Sequence, residues 1–413
     1  MEQNNHVPTG EVCLSDLDVE QSKIKKIRSK PLKKKSKLTT LFHQVKEELN
    51  SFYDLRFDGI KLDIEISLKG KNKFTALNDS NLYVEIREKS MRISKSDLRE
   101  ILKSDFVTKI NPINNYFESV GTYQDHEPDY IEQLAKFVKA DNQEEFIKHF
   151  KKQLVRTVRC SLEDGYFNKQ AFIIVQSGQN TGKTTLIRFL CPPALQDYFA
   201  EDITTDKDGL ILLAKNFIIN LDELSTLQKS EINALKSYFS KTSINVRLPY
   251  DAKNSNISRK CSFFGSTNLA QFLTDETGSV RWLCFTIQSI DWDYTKKVDI
   301  NNVWRQAFHL YKTGFKHELS VEEIKENELR NAQFQLISVE EELVSKYLEI
   351  PNETNISRKE FLQSTEITTY LQVSSGISKI NNIQIGKVLS KYFTREKKMK
   401  GGIQRWGYEI VKS

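Results

Sequence analysis

A lysine set between glycine and threonine, Gly182-Lys183-Thr184, closes the stretch Ser177-Gly178-Gln179-Asn180-Thr181-Gly182-Lys183-Thr184-Thr185, and these residue types in this order suit the binding of phosphate. In such a loop the backbone N–H groups cradle a triphosphate, the lysine reaches the β- and γ-phosphates, and the hydroxyl of the next residue ligates Mg²⁺. Gly178, Gln179, Asn180, Thr181, Gly182, Lys183, Thr184 and Thr185 are thus the candidate ligands of ATP, with Thr184 also a candidate metal ligand. One position departs from the usual pattern. Ser177 stands where the first glycine is common, and Gly178 follows one place later. The loop needs a strand before it and a helix after it, and Phe172-Ile173-Ile174-Val175 and Leu186-Ile187-Arg188-Phe189-Leu190 have those patterns.

Hydrolysis calls for carboxylates next to the phosphates. Phe217-Ile218-Ile219-Asn220-Leu221 reads as a strand buried on both faces, and it ends in Asp222-Glu223. Asp222 suits the Mg²⁺ shell, and Glu223 suits orienting and polarising the attacking water. A third apolar strand, from Cys261 to Gly265, leads to Ser266-Thr267-Asn268. There Asn268 could bond the γ-phosphate or the lytic water, and turn chemistry is the competing explanation. Arg281 opens a further apolar strand just after a glycine turn, a position from which a guanidinium could reach a nucleotide held by a neighbouring subunit. A surface pair with Asp275 or Glu276 competes with that role, and Arg259 is the alternative finger. Between the second and third strands, residues 245–254 form a basic and aromatic loop or hairpin containing Arg247, Tyr250 and Lys253. It suits gripping a single strand of nucleic acid, or it is simply a solvated loop.

The whole chain must position these groups. Its 413 residues predict two to three domains. No apolar run approaches the ~18 residues that cross a bilayer, and the N-terminus lacks an apolar signal core, so a soluble, cytoplasmic protein without a membrane partner is expected. The five cysteines are scattered and predict neither a disulfide framework nor a zinc site. A net charge of +6 permits nucleic-acid binding without requiring it. Residues 1–40 read as a disordered basic tail, either a solubilising segment, a contact to phosphates or a nuclear-localisation signal. Residues 41–115 read as a small α+β accessory domain: a helix from Phe42 to Phe52, strands at Ile60–Ile66 and Leu82–Ile86, and a helix capped by Ser94 or Ser96. Residues 116–315 hold a helical lead-in, with Lys148, Lys151, Lys152, Arg156 and Arg159 on a solvated face or, as the alternative, a nucleic-acid contact, followed by the nucleotide-binding core. Residues 316–348 read as a linker helix. Two helices (from Ser364 or Thr365 to Leu371, and from Ile383 to Phe393) and a hairpin turning through Lys397–Gly402 give 349–413 the outline of a winged helix. Lys387, Lys391, Lys397 and Lys398 are its candidate DNA contacts.

The set Gly178-Gln-Asn-Thr-Gly-Lys-Thr-Thr185, Leu221-Asp-Glu-Leu224, Arg247-Leu-Pro-Tyr250, Gly265-Ser-Thr-Asn268 and Phe272-Leu-Thr-Asp-Glu-Thr-Gly-Ser-Val-Arg281 resembles the virulence-associated E family of phages and bacterial mobile elements, relatives of superfamily 3 helicases. The resemblance covers roughly residues 130–315. It implies an α/β class protein with an AAA+-like P-loop NTPase core, ring assembly with ATP between subunits, and 3′-to-5′ translocation on DNA. It also implies Lys183 and Thr184 as ligands of triphosphate and Mg²⁺, Asp222 and Glu223 as the acidic pair, Asn268 as sensor and Arg281 as the arginine acting in trans. Where family members often carry two adjacent arginines, this chain has Arg281 followed by Trp282. Residues 41–115 lack the metal-binding carboxylates of a primase, so primer synthesis is not expected. The function expected from residues and resemblance together is that of an ATP- and Mg²⁺-dependent DNA-translocating ATPase, a helicase of a phage or mobile element. Such an enzyme would form a homo-oligomer, as a hexameric ring, with single-stranded DNA in its channel and duplex at the winged helix. An ATP-switched DNA-binding regulator, or a defence or signalling ATPase without unwinding, is the alternative.

Overall fold

The computed structural model describes residues 40–204, 206–222, 224, 229–247, 254–273 and 279–413. These fall into two compact units, one of residues 40–57 and 64–108, the other of residues 58–63 and 109–413. The basic stretch 1–39, Glu223, Lys253 and the Asp275-Glu276 pair lie outside the described residues.

The small unit is α+β. Helix α1 (Leu41–Phe52) leads into β1 (Tyr53–Asp58) and β2 (Asp63–Leu68), followed by the short β3 (Thr75–Ala76) and helices α2 (Asp79–Glu88) and α3 (Lys95–Lys103). Leu82–Ile86, expected as a strand, lies within α2. Asn78 caps that helix by accepting from the N–H groups of Ser80 and Asn81, and Leu82 and Ile86, one turn apart, are the buried pair. Alternation at five residues was outweighed by a cap and an i,i+4 apolar pair. Ser94 caps α3, accepting from Asp97 N–H.

The larger unit is built on a six-stranded sheet. Its chain runs through α4 (Pro112–Ser119), α5 (Tyr130–Lys136), β4 (Val138–Ala140), α6 (Gln143–Leu162), β5 (Ala171–Val175), α7 (Lys183–Leu190), β6 (Phe199–Glu201), α8 (Lys207–Lys215) and β7 (Ile218–Leu221). It continues with α9 (Lys229–Phe239), the hairpin β8 (Ser243–Val246) and β9 (Ser255–Ser258), β10 (Ser262–Thr267), β11 (Trp282–Ile290) and α10 (Ile300–Lys312). The sheet order is β4-β11-β5-β10-β7-β6, parallel throughout except for the edge strand β4. Every residue of β5, β7 and β10 is buried, as expected of parallel strands covered on both faces. Alternate residues feed two cores. Phe172, Ile174, Phe264 and Phe285 join α6, α7 and α10 on one side, while Ile173, Val175, Ile219, Leu221 and Phe263 join α8 and α9 on the other. Trp304 of α10 fixes the far end of α7, its indole N–H donating to Leu190 O at 2.7 Å.

The cationic face expected on α6 is committed within the chain. Arg156 is fully buried, bonded to Asn168 Oδ1, Gln153 Oε1 and the His317 carbonyl. Lys151 bonds Asp129, and Arg159 bonds Glu163. Lys148 and Lys152 both meet Glu323 of α11 (Val321–Asn331), at 3.3 and 2.7 Å. Burial pushes the Glu323 carboxyl upward, but bonds from Lys152, Ser320 N–H and Lys148 outweigh it and hold it at about 2. Because the folded value lies below the ordinary 4.5, the stabilisation is complete above 4.5 and is lost as pH falls towards 2. Thermal unfolding across pH 5 to 2 should therefore show a falling melting temperature with a component that Glu323→Gln removes. An unchanged slope in that variant would show that other carboxylates account for it.

The chain ends in α12 (Val339–Tyr347), β12 (Leu348–Glu349), β13 (Glu360–Leu362), α13 (Ser364–Ser375), α14 (Asn382–Tyr392), β14 (Arg395–Lys400) and β15 (Ile403–Lys412). The linker expected as one helix is two, α11 and α12. The hairpin is tight: Lys400 pairs with Ile403 across Gly401-Gly402, both at positive φ (61° and 80°), which a two-residue turn between twisted strands requires. Ile367, Leu371, Ile385, Leu389 and Ile410 form its core.

Candidate nucleotide site

The loop from Gln176 to Gly182 leaves the carboxyl end of β5 and turns into α7, the local order expected of it. Gly182 supports the turn with φ +90° at the helix N-cap, and a Cβ there would lie 2.7 Å from the ring of Trp292. Lys183 is the first residue of α7 and is buried, 6% exposed. Its Nζ folds back into the loop and donates to Gly178 O (2.8 Å), Thr181 Oγ1 (2.9 Å) and Gln176 O (3.2 Å). Burial lowers the pKa of this ammonium, partly opposed by Asp222.

Asp222 is reached from a strand and a helix at once. β10 lies beside β7 with Gly265 opposite Leu221, so the next residues of each, Ser266 and Asp222, meet at the strand ends. Ser266 Oγ donates to Asp222 Oδ1 at 2.6 Å, and Thr184 Oγ1 donates to Asp222 Oδ2 at 3.0 Å. Together with the loop these residues line a cavity of about 450 Å³, comprising Gln179 to Thr185, Arg188, Asp222, Ser266 and Asn268. A hydroxyl, a carboxylate and a second hydroxyl form a hard-oxygen set that suits Mg²⁺, an ion usually held by one or two carboxylates plus phosphate oxygens.

Gly178, Gln179, Asn180, Thr181, Gly182, Lys183, Thr184, Thr185, Asp222 and Asn268 thus come together. Asn180 adopts a left-handed conformation (φ 56°), tolerable for asparagine and needed for the loop to turn without a further glycine. Ser266 and Arg188 were not singled out in the sequence. Arg188 lies one turn beyond Thr184 and forms a two-pronged pair with Glu201, at 2.5 and 2.8 Å. Its i,i+4 spacing from Thr184 was the available signal. For Ser266, only the strand register reveals the meeting with Asp222.

Arg281 is elsewhere. Trp282, its neighbour, pairs with Ala171 at the start of β5, so Arg281 sits at the opposite end of the parallel strands from the cavity. There its Nε donates to Ser240 Oγ at 3.2 Å. Arg259, the alternative finger, is fully buried and donates to the carbonyls of Asn168, Tyr238, Phe239 and Cys261, so it is a structural clamp. Arg247 is exposed just beyond β8. In the C-terminal elements Lys391 bonds Glu341 at 2.6 Å, and Lys398 bonds Glu396 and Glu409. Lys397 is exposed across from Trp406 on the hairpin, and Lys387 lies on α14 beside a groove of about 960 Å³. Among the described residues no cluster of three or more His, Cys, Asp or Glu side chains is placed to hold a metal, and no helix is long and apolar enough to cross a membrane.

Fold and site define a mixed α/β protein that gathers a lysine, hydroxyls and a carboxylate at the carboxyl ends of the parallel strands β5, β10 and β7. Residues 117–336 match the model of the virulence-associated protein E-like domain, over half of the chain, and the chain belongs to that family. Among solved structures it is similar to the apo NrS-1 C-terminal region (305-718), at 15% identity and TM-score 0.47, over 90% of this chain and 99% of that one. The A form of the same region matches at 14% identity and TM-score 0.46, over 91% and 99%. No curated protein matches the sequence.

Proposed function

We propose that this chain is an ATP- and Mg²⁺-dependent DNA-translocating ATPase, a helicase of a phage or mobile element that works as a ring. The proposal includes a P-loop AAA+-type core and a C-terminal winged helix. The observation that carries it is the convergence of Lys183, Thr184 and Asp222 at the carboxyl ends of β5 and β7 around one polar cavity. Family membership supports the same function. In this account Lys183 exchanges its carbonyl partners for phosphate oxygens, Thr184 and Asp222 hold the metal, and Ser266 fixes the Asp222 carboxylate. Mg²⁺ supplies charge neutralisation at the phosphates. Asn268, which lines the cavity, bonds the γ-phosphate or the lytic water in this account, and Glu223, next to Asp222 in sequence, polarises that water. Arg281 serves the site of a neighbouring subunit. Single-stranded DNA is gripped from the loop that contains Arg247 and Lys253, and duplex is met by Lys387 and Lys397 on α14 and the hairpin. With Lys391 and Lys398 engaged by glutamates, their contacts to DNA require exchange of those pairs.

Steady-state phosphate release with and without single-stranded DNA tests this account. Stimulation is expected, and it should weaken with added salt as phosphate contacts are screened. Duplex binding without any stimulation by single strands would favour the ATP-switched regulator instead.

A further inference from the structure

We propose that Trp292 is the platform on which the base of the bound nucleoside triphosphate stacks, so that this ring makes the site choose nucleotides over bare polyphosphate. The inference rests on the triphosphate function given above to the 177–185 loop. After Ile290, at the end of β11, the chain returns to the loop and sets the indole against Gly182. A Cβ at that glycine would lie 2.7 and 2.9 Å from Trp292 Cζ2 and Cη2, so the ring edge touches the residue that immediately precedes Lys183. A base joined through its ribose to a triphosphate held by Lys183 would emerge near this helix start.

The exposure of the ring is unusual for its position. Trp282 and Trp304 are buried (1% and 0% exposed), whereas Trp292 leaves 49% of its surface in solvent and meets the polar cavity through Gly182, one of its lining residues. It is nevertheless held from behind. Tyr294, wholly buried, stacks on it with centroids 6.5 Å apart and planes at 22°. Tyr294 rests edge-on against Phe189 of α7, at 4.9 Å. The Trp292 carbonyl accepts from Thr295 N–H and Oγ1, at 3.2 and 3.0 Å. A half-exposed aromatic ring backed by Tyr294 and set against the loop offers stacking with little ordering cost. Stacking tolerates any base, since every base has a π-face. The expected preference is therefore for larger stacking area, purine over pyrimidine, with no demand for one purine.

The test is calorimetric binding of Mg-ATP and of Mg-tripolyphosphate to the full chain and to Trp292→Phe and Trp292→Leu. Leucine keeps apolar bulk against Gly182 but removes the π-face. Trp292→Leu should weaken ATP about tenfold while leaving tripolyphosphate within about twofold, and Trp292→Phe should stay close to the original chain for both. Unchanged ATP affinity in Trp292→Leu overturns the proposal. Equal weakening of both ligands also overturns it, because the ring would then only be buttressing the loop. If the original chain binds neither ligand, the triphosphate function of the loop fails and this inference fails with it. If it binds both but the variants do not separate them, only the inference fails.

Discussion

Lys183→Ala is expected to lower ATP turnover by at least about 10²-fold, the cost of removing one preorganised charge from a developing phosphoryl transition state. The prediction separates a functional lysine from a structural one. Lys183 is almost wholly buried and its ammonium touches only loop oxygens, two carbonyls and one hydroxyl. If its task were to staple the loop, alanine would loosen the fold. A buried cation without a bonded carboxylate is expensive, however, and burial already depresses its pKa. Alanine at the first position of a helix is also well tolerated. The melting temperature without nucleotide is therefore expected to hold or rise while turnover and Mg-ATP affinity collapse. Retained hydrolysis would refute the assignment of the loop. Lost hydrolysis accompanied by a large fall in stability would make Lys183 a structural residue.

How far the sequence reveals this site depends on whether a feature is local. The loop, the flanking strand and helix, and the burial of β7 follow from short-range pattern, because apolar runs bounded by polar ends leave little choice in a parallel sheet. Leu82–Ile86 misled because five alternating residues cannot compete with Asn78 as a cap and an i,i+4 pair. Val138 falls at a helical spacing from Ile131 and Leu134, yet it belongs to a strand that pairs with β11, a contact made across about 150 residues of chain. The bond from Ser266 to Asp222 is likewise set by the β7–β10 register. Cationic residues were the hardest to read. Arg156 and Arg259 are buried clamps, and Lys148 and Lys152 belong to Glu323, because a charge shows its partner only once the helices are packed. Trp292 is hidden in the sequence for the same reason: nothing near it in sequence points to Gly182.

Arg281→Ala is expected to lower turnover by about 10³-fold or more, the usual effect of an arginine finger, although Arg281 is remote from its own cavity. Trp282 pairs with Ala171 and Thr286 with Val175, so the length of β5 separates Arg281 from the loop, roughly 13 Å at 3.3 Å per residue. Over that distance a guanidinium bonded to Ser240 contributes little to chemistry in its own subunit. The decisive experiment mixes two inactive variants, Arg281→Ala and Glu223→Gln. In a ring with sites between subunits, an Arg281→Ala subunit keeps its acidic residue and can borrow the arginine of a Glu223→Gln neighbour. On random mixing of equal amounts about a quarter of the sites are then complete, and turnover should recover to roughly that fraction of the original. If Arg281 acted within its own subunit, each variant would stay inactive beside the other and mixing would restore nothing. If Arg281→Ala alone kept full turnover, the residue would be an ordinary surface arginine, and a ring, if one forms, would need another source of positive charge at its sites. Since Arg259 is sealed among four carbonyls, that source would have to lie elsewhere in the chain.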